Sequence, residues 1–431
     1  MRLPLLMVLL SYLVLVGTDL LILHDIRKSW WPERGNSDKK EAKRKKAGNS
    51  DRKEARERFR NWAFWGFATV AVLVLALLTV AICLPKRDVT SDITPLMWML
   101  YTVMTFVIPQ LIYCIISLIG YIPNLWRGRR WPLGLWVGLP VAAIVFILMW
   151  WGALVGRKNI QEVNVDFSSE ALPESFEGYK IVQFSDIHLG TWGNDTAFVS
   201  RFVDRINAQK PDLILFTGDA VNRVSDEFKP FIPVLSRLKA KDGVYTVLGN
   251  HDYGDYITWS SEERKRANLD SLKSYQRKTG WKMLDNAHTF IKKQAGDSIA
   301  LIGVGNWGEP PFSVYGDMAE AYPEENWNDE NFKILMSHNP EHWNREVKKN
   351  TNVDLTLSGH THAMQMVFKL PGWRWSPAEW RYKYWGGLYD KEKEAGANGS
   401  LYVNIGAGEV GIPMRIGADP EITVFTLHKK R

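Results

Sequence analysis

Thiols are scarce: the 431-residue chain has two cysteines, Cys83 and Cys114, and both stand in apolar runs. A disulfide scaffold and a thiolate zinc module are therefore excluded, and cysteine usage points to no redox compartment. A positive field is also missing from the larger part of the chain. Residues 1–157 hold 21 Lys+Arg against 10 Asp+Glu, net +11, which leaves 33 against 37, net −4, for the remainder. The basic balance belongs to one end, so the C-terminal part lacks the electrostatic footprint of a nucleic-acid binder, and no nucleic-acid partner is expected. With 46% hydrophobic residues the chain is too apolar to be a disordered polymer and long enough for more than one domain.

The apolar residues are unevenly placed. Four runs, at about 4–23, 62–84, 95–122 and 133–155, each approach the ~20 residues that cross a bilayer as a helix. Tryptophans cluster at their ends (Trp30, Trp31, Trp62, Trp65, Trp126, Trp131, Trp150, Trp151), at the depth where amphipathic rings sit among headgroups. The expectation is a multi-pass integral protein of a plasma or bacterial inner membrane, with residues 1–157 as a four-helix transmembrane region. Asp19 is expected to reach the interface from its helix end, and Pro109 to be tolerated where neighbours satisfy the freed carbonyl. Arg2 ahead of the first run resembles a signal peptide, but no A-x-A-like site follows, so a retained span is expected.

Between the first two runs, residues 27–60 carry 14 Lys+Arg and 6 Asp+Glu and contain a near-tandem repeat, Gly35–Lys45 matching Gly48–Arg58. This is expected to be a solvated low-complexity loop, partly helical or disordered. Arg127, Arg129 and Arg130 make the loop before the fourth run basic too, whereas Lys86 and Arg87 are offset by Asp88 and Asp92. The positive-inside rule puts both basic loops in the cytoplasm and both ends of the chain outside, so the C-terminal domain is expected to be extracytoplasmic.

From residue 158 the pattern changes to short β-rich runs alternating with polar helical ones, an α/β domain at 179–431 with 158–178 as tether. Strands are expected at Lys180–Phe184, Leu213–Phe216, Val244–Leu248, Ile299–Val304, Phe332–Met336, Leu355–Leu357, Leu401–Ile405 and Ile422–Leu427. Helices are expected at Thr196–Gln209 and Ser260–Lys278. Five of these strands run into polar clusters: Asp186-Ile187-His188, Gly218-Asp219, Gly249-Asn250-His251-Asp252, Ser337-His338 and Gly359-His360-Thr361-His362. The C-terminal ends of strands are where an α/β sheet presents its ligands. One D-x-H or H-x-H arises by chance; five clusters in order, holding five of the nine histidines, do not. Alternate positions point the same way, so both side chains of each pair can face one site. Carboxylates, imidazoles and an amide oxygen without sulfur suit divalent Mn, Fe or Zn. His24, His288, His342 and His428 are expected as surface or packing residues.

The series resembles the calcineurin-like metallophosphoesterase superfamily, whose pattern is D-x-H, G-D, G-N-H-D/E, a separate His and G-H-T-H, over residues 178–431. The tail is similar to its bacterial membrane-associated branch at Gly387-Leu388-Tyr389, Leu401-Tyr402-Val403 with Gly406 and Gly408, Ile412-Pro413 and Pro420-Glu421-Ile422-Thr423. That branch includes cell-wall-associated phosphodiesterases and hydrolases of UDP-diacylglucosamine. The resemblance implies a four-layered α/β/β/α domain with two divalent ions. Asp186, His188, Asp219 and His362 would hold one, and Asp219, Asn250, His338 and His360 the other, with Asp219 bridging. Two such ions activate water and clamp the oxygens of an in-line displacement at phosphorus. His251 would donate a proton to the leaving oxygen, with Asp252 holding its orientation. Where these relatives carry two glycines and a Gln after G-H-T-H, this chain has Ala363, Met364 and Gln365, which alters the cleft but not the ligands.

Residues 373–389 form an aromatic and basic stretch (Trp373, Arg374, Trp375, Trp380, Arg381, Tyr382, Lys383, Tyr384, Trp385, Tyr389), read either as a covering loop or as a collar facing membrane or substrate. The expected function is a membrane-anchored phosphoesterase acting on a phosphodiester, phosphomonoester or pyrophosphate bond. Its expected partners are the lipid bilayer and a lipid-linked or cell-envelope phosphoester. The alternative is a non-catalytic receptor or scaffold that keeps the fold, disfavoured because no ligand position is lost.

Overall fold

The computed structural model describes residues 5–28, 50–83, 93–124, 131–293, 296–309, 312–323 and 329–430. Most of the basic repeat loop, the loop at 84–92, Trp30, Trp31, Trp126 and the arginines at 127, 129 and 130 lie outside them. Two compact units emerge, Met1–Pro85 with Leu96–Trp150, and Lys86–Pro95 with Trp151–Arg431.

Helices α1 (Leu5–Lys28), α2 (Ser50–Cys83), α3 (Thr94–Tyr121) and α4 (Leu139–Leu154) follow the four apolar runs. The segments Glu54–Cys83, Thr94–Tyr121 and Gly134–Lys158 are long and apolar enough to cross a membrane; α1 is a further apolar helix of 24 residues. Leu13, Leu73, Ile115 and Ile147 are all more than half exposed, as a lipid-facing surface requires. Asp25, Tyr113 and Ser117 face inward and pair. Asp25 accepts hydrogen bonds from Ser117 (2.5 Å), Tyr113 (3.0 Å) and Tyr121 (3.1 Å), which ties α1 to α3. Asp19 is buried, more than two turns from the end of α1 at Lys28.

In the second unit two six-stranded sheets pack face to face. The first has the order β1 (Gln161–Ser169), β14 (Glu421–Lys429), β2 (Lys180–Phe184), β3 (Leu213–Phe216), β4 (Val244–Thr246), β5 (Lys282–Met283). The second has the order β12 (Gly387–Tyr389), β13 (Ser400–Val403), β9 (Leu355–Ser358), β8 (Phe332–Met336), β7 (Ser298–Gly303), β6 (Ala287–Lys292). Ile181, Leu213, Leu215 and Phe425 meet Ile299, Leu301, Ile334 and Leu357 between the sheets. Helices α5 (Ala197–Ala208) and α6 (Glu262–Lys278) cover the outer face of the first sheet through Phe198, Phe202, Ile206 and Leu272. The short helical segments Met318–Ala321 and Trp343–Val347 lie on the second through Met318, Trp343 and Val347. This is the α/β/β/α arrangement.

The expected tether is corrected. Residues 161–169 are a full strand, paired in parallel with β14 from Gln161↔Glu421 to Ser169↔Lys429. The alternation of Val163, Val165 and Phe167 with polar residues is a half-buried strand pattern, diluted by charge at its outer positions. The end of α4 joins the domain directly. The Arg415 N–H donates to the Gly152 carbonyl at 3.2 Å, and a Cβ on Gly152 would sit 2.7 Å from Ile416.

Candidate metal centre

Every expected cluster follows a strand end. Asp186 and His188 follow β2, Asp219 follows β3, Asn250 and His251 follow β4, His338 follows β8, and His360 and His362 follow β9. Since β2, β3 and β4 are parallel neighbours in one sheet and β8 and β9 in the other, both sheets deliver side chains to one crevice. The close turns need special backbone. Gly218 has φ +97°, and a Cβ there would lie 2.6 Å from the Gly249 nitrogen. Five non-glycine residues with positive φ are the ligand candidates Asp186, His188, Asp219, His360 and His362, a concentration of backbone strain of the kind found at functional sites.

The donor atoms converge. Nε2 of His188 and Nε2 of His362 are 3.1 Å apart, and Asp186 Oδ1 is 3.2 Å from His362 Nε2 and 4.0 Å from His188 Nε2. Asp219 Oδ2 lies 3.2 Å from His338 Nε2 and 3.6 Å from His188 Nε2. Asn250 Oδ1 faces His360 Nδ1 at 2.8 Å and His338 Nε2 at 3.1 Å. The trios Asp186, His188, His362 and Asp186, Asp219, His338 each offer ligand atoms within 4.8 Å of one another. Asp186 therefore faces both groups, as Asp219 does.

These contacts fit cations. Asp186, Asp219, His188 and His338 are fully buried or nearly so, and the His338 Nδ1–H donates to the Thr217 carbonyl at 2.8 Å, which turns the Nε2 lone pair toward Asp219 and Asn250. Lone pairs facing carboxylate and amide oxygens are repulsive unless a proton or metal lies between them. Burial pushes His360 down to about 3 and His188 well down, so both rings are neutral donors. For His338 burial acts downward, but Asp219 and Asp186 outweigh it and raise the ring to about 9, so without a cation Nε2 holds a proton against Asp219, which a bound metal would displace.

Supporting groups place the ligands. The backbone N–H of His251 donates to Asp219 Oδ1 at 2.8 Å, leaving Oδ2 to the site, and that of His360 is shared between Oδ1 and Oδ2 of Asp186 at 3.1 and 3.0 Å. Asn250 donates its amide to Tyr256 Oη at 2.7 Å, which fixes Oδ1 toward the imidazoles. The same Tyr256 ring stacks on His251 with centroids 4.3 Å apart. Asp252 corrects the sequence reading: its carboxylate does not hold His251. It accepts from the backbone N–H groups of Ala220 (2.8 Å), Asp219 (2.9 Å), Gly249 (3.0 Å) and Val221 (3.2 Å), cross-linking two ligand loops. His251 is oriented by the Asn222 carbonyl, 2.7 Å from Nδ1.

Three residues escaped the sequence reading as parts of the site. Tyr382 Oη is 3.1 Å from His360 Nε2. Arg415, fully buried, brings Nη2 to 3.3 Å from His362 Nδ1 while donating to the carbonyls of Ile405, Gly408 and Ala418. Ser185 donates to Asp186 and to Asn404 Oδ1. Only Tyr382 gave a signal, by its place in the aromatic stretch. That stretch is anchored to the G-H-T-H loop, through Thr361 donating to the Trp385 carbonyl and Ser376 donating to the Ala363 carbonyl, each at 2.6 Å.

Both parts of the chain are similar to known proteins. The family model for calcineurin-like phosphoesterase matches residues 179–364, and that for the transmembrane domain of probable calcineurin-like phosphoesterases matches residues 1–157. The Bacillus subtilis metallophosphoesterase YkuE is 31% identical over 274 residues, covering 62% of this chain and 85% of that protein. A Danio rerio transmembrane protein with metallophosphoesterase domain is 28% identical over 289 residues; the match covers 66% of this chain and 61% of that protein. A crystal structure of a dimetal phosphatase from Danio rerio aligns at 13% identity and TM-score 0.33 over 54% of this chain and 88% of that one. With its strand-end ligand clusters and its apolar N-terminal helices, the chain belongs to the calcineurin-like metallophosphoesterases, metal-dependent phosphoric ester hydrolases, and carries a transmembrane domain.

Proposed function

We propose that the site hydrolyses a phosphodiester, phosphomonoester or pyrophosphate bond of a lipid-linked or membrane-proximal substrate, in a four-span protein whose catalytic domain is extracytoplasmic. Asp186, His188, Asp219 and His362 hold one divalent ion, and Asp219, Asn250, His338 and His360 the other. The observation that carries this reading is the convergence of His188 and His362 Nε2 at 3.1 Å beside two buried carboxylates. The oxygen and nitrogen donors suit Mn, Fe or Zn. Bound ions supply a water nucleophile at neutral pH and positive charge for the phosphoryl oxygens.

The chain supplies the remainder. His251 donates Nδ1–H to the Asn222 carbonyl, which leaves Nε2 free; in the doubly protonated ring Nε2 carries the second proton. Stacked on Tyr256, it gives that proton to the leaving oxygen. Asp252 keeps the Asp219 and Asn250 loops in register through its four backbone hydrogen bonds. The membrane-proximal assignment is supported by the short path from α4 to β1, only six residues between Leu154 and Gln161.

Two experiments test the proposal. Full-length protein in nanodiscs, loaded in turn with Mn, Fe, Zn, Ni and Mg, should hydrolyse bis-p-nitrophenyl phosphate and lose the activity to chelators. Cells lacking the protein should accumulate a lipid-linked phosphoester or pyrophosphate; accumulation of soluble phosphoesters alone would reject the lipid substrate.

A further inference from the structure

The hairpin after the G-H-T-H loop is inverted relative to that of a water-soluble domain. Strands β10 (Phe368–Leu370) and β11 (Trp373–Trp375) pair with Phe368↔Trp375, Lys369↔Arg374 and Leu370↔Trp373. Directly opposed residues share a face, so Phe368, Leu370, Trp373 and Trp375 form one face and Lys369 and Arg374 the other. On the cationic face Lys369 stays exposed, and Arg374, itself partly exposed, reaches back to the domain. The Arg374 guanidinium lies 4.3 Å from the centroid of the Trp385 ring and donates to the Gly386 carbonyl. The aromatic face turns outward, with Phe368 44%, Leu370 65% and Trp373 51% exposed. Trp380, 80% exposed, packs edge-on against Trp375, which itself stacks on Phe368. A hairpin folded for water would bury this face.

Its position selects the occupant. Met366, two residues before β10, bridges to Ile416. Ile416 lies against Gly152, and its neighbour Arg415 donates its N–H to the Gly152 carbonyl, in the last turn of α4. The hairpin thus springs from backbone that is hydrogen-bonded to the point where the last apolar helix leaves the membrane. Trp and Leu beside Lys and Arg is the composition of the headgroup layer.

We propose that the β10–β11 hairpin, with Trp380, is an interfacial anchor whose aromatic face is seated in the lipid bilayer surface. The same stretch carries Tyr382 onto His360, so seating the hairpin holds the mouth of the metal centre at headgroup level. This consequence deepens the membrane-proximal substrate reading and rests on it; the seating itself does not.

The test therefore uses no substrate. Full-length protein with Cys83→Ala and Cys114→Ala is labelled with an environment-sensitive fluorophore at Leu370→Cys, or separately at Trp380→Cys, and reconstituted in phosphatidylglycerol–phosphatidylethanolamine vesicles. A control label at Arg266→Cys lies on α6, which precedes edge strand β5 at the far end of the first sheet from β1. Quenching by spin-labelled lipids should place the labels at 370 and 380 ~5–10 Å into the headgroup–acyl boundary, with the control in water. Equal quenching of all three by aqueous iodide would overturn the proposal and leave the hydrolase reading intact. Labels shielded from both iodide and lipid quenchers would also overturn it, by assigning the face to a second protein surface.

Discussion

Tyr382 places its hydroxyl 3.1 Å from Nε2 of His360, while Nδ1 of the same ring faces Asn250 Oδ1 at 2.8 Å. With the Nε2–H donated to Tyr382, the Nδ1 lone pair is presented to a cation. Partners of this kind are worth ~10–100-fold in metal affinity. Tyr382→Phe should weaken one of two metal sites by that factor in chelator competition and leave the other unchanged. Equal weakening of both would show a general loosening of the loop.

Asp219 and His251 should separate in their effects. Asp219 faces His188 and His338 together, so Asp219→Asn should lose bound metal. His251→Ala should keep metal and lose ~10²–10⁴ in rate if the ring acts as general acid. Metal analysis beside turnover of bis-p-nitrophenyl phosphate checks both; equal metal loss in the two variants would remove His251 as the proton donor.

Leu213–Phe216 could be read to the residue because a buried parallel strand is a continuous apolar run, and its end carried the ligand Asp219 into view. Strand β1 was missed because its outer positions are charged or polar, which reads as linker. The role of Asp252 was misassigned for a physical reason: adjacency to His251 suggests a pair, but the Asp252 carboxylate turns to the backbone of the Asp219 loop instead. Tyr382 and Arg415 act across 22 and 53 residues from the histidines they touch, contacts that no local pattern encodes.

The residues that replace the usual glycines after G-H-T-H carry a conformational cost. Ala363 has φ 50° and Met364 φ 45°, both left-handed. Such backbone costs an L-residue ~1–2 kcal/mol. Met364 is 43% exposed, so Met364→Gly gives up little packing. Its melting temperature should rise, corresponding to about 1 kcal/mol after the entropy of glycine is counted. A lower melting temperature would mean that the Met364 side chain is held by contacts that outweigh the strain.

Arg157, just beyond α4, makes a bidentate pair with Glu409, with Nε to Oε1 at 3.0 Å and Nη2 to Oε2 at 3.1 Å, both side chains buried. Removing one partner leaves a buried charge. Arg157→Ala should therefore destabilise the domain by ~3–5 kcal/mol in denaturant unfolding. The double variant Arg157→Met, Glu409→Leu should recover most of that loss, because no charge remains unpaired. A double variant as unstable as the single one would locate the cost in packing of the arginine over Trp192, whose ring centroid lies 4.3 Å from the guanidinium.

The side of the membrane decides which phosphoesters are reachable. Fourteen basic residues at 27–60 and three at 127–130 argue that these loops are cytoplasmic and, with four spans, that the metal centre faces outward. Hydrolases of UDP-diacylglucosamine in the branch that the tail resembles act on a cytoplasmic precursor, which would lie on the opposite side. The charge argument is the stronger, since fold relatives differ widely in substrate. Glu170, just beyond β1, is exposed and serves as the probe on the domain. In a background of Cys83→Ala and Cys114→Ala, an impermeant maleimide on intact cells should label Glu170→Cys and spare Glu57→Cys. Labelling at 57 but not at 170 would invert the topology and make a cytoplasmic lipid precursor the substrate to test.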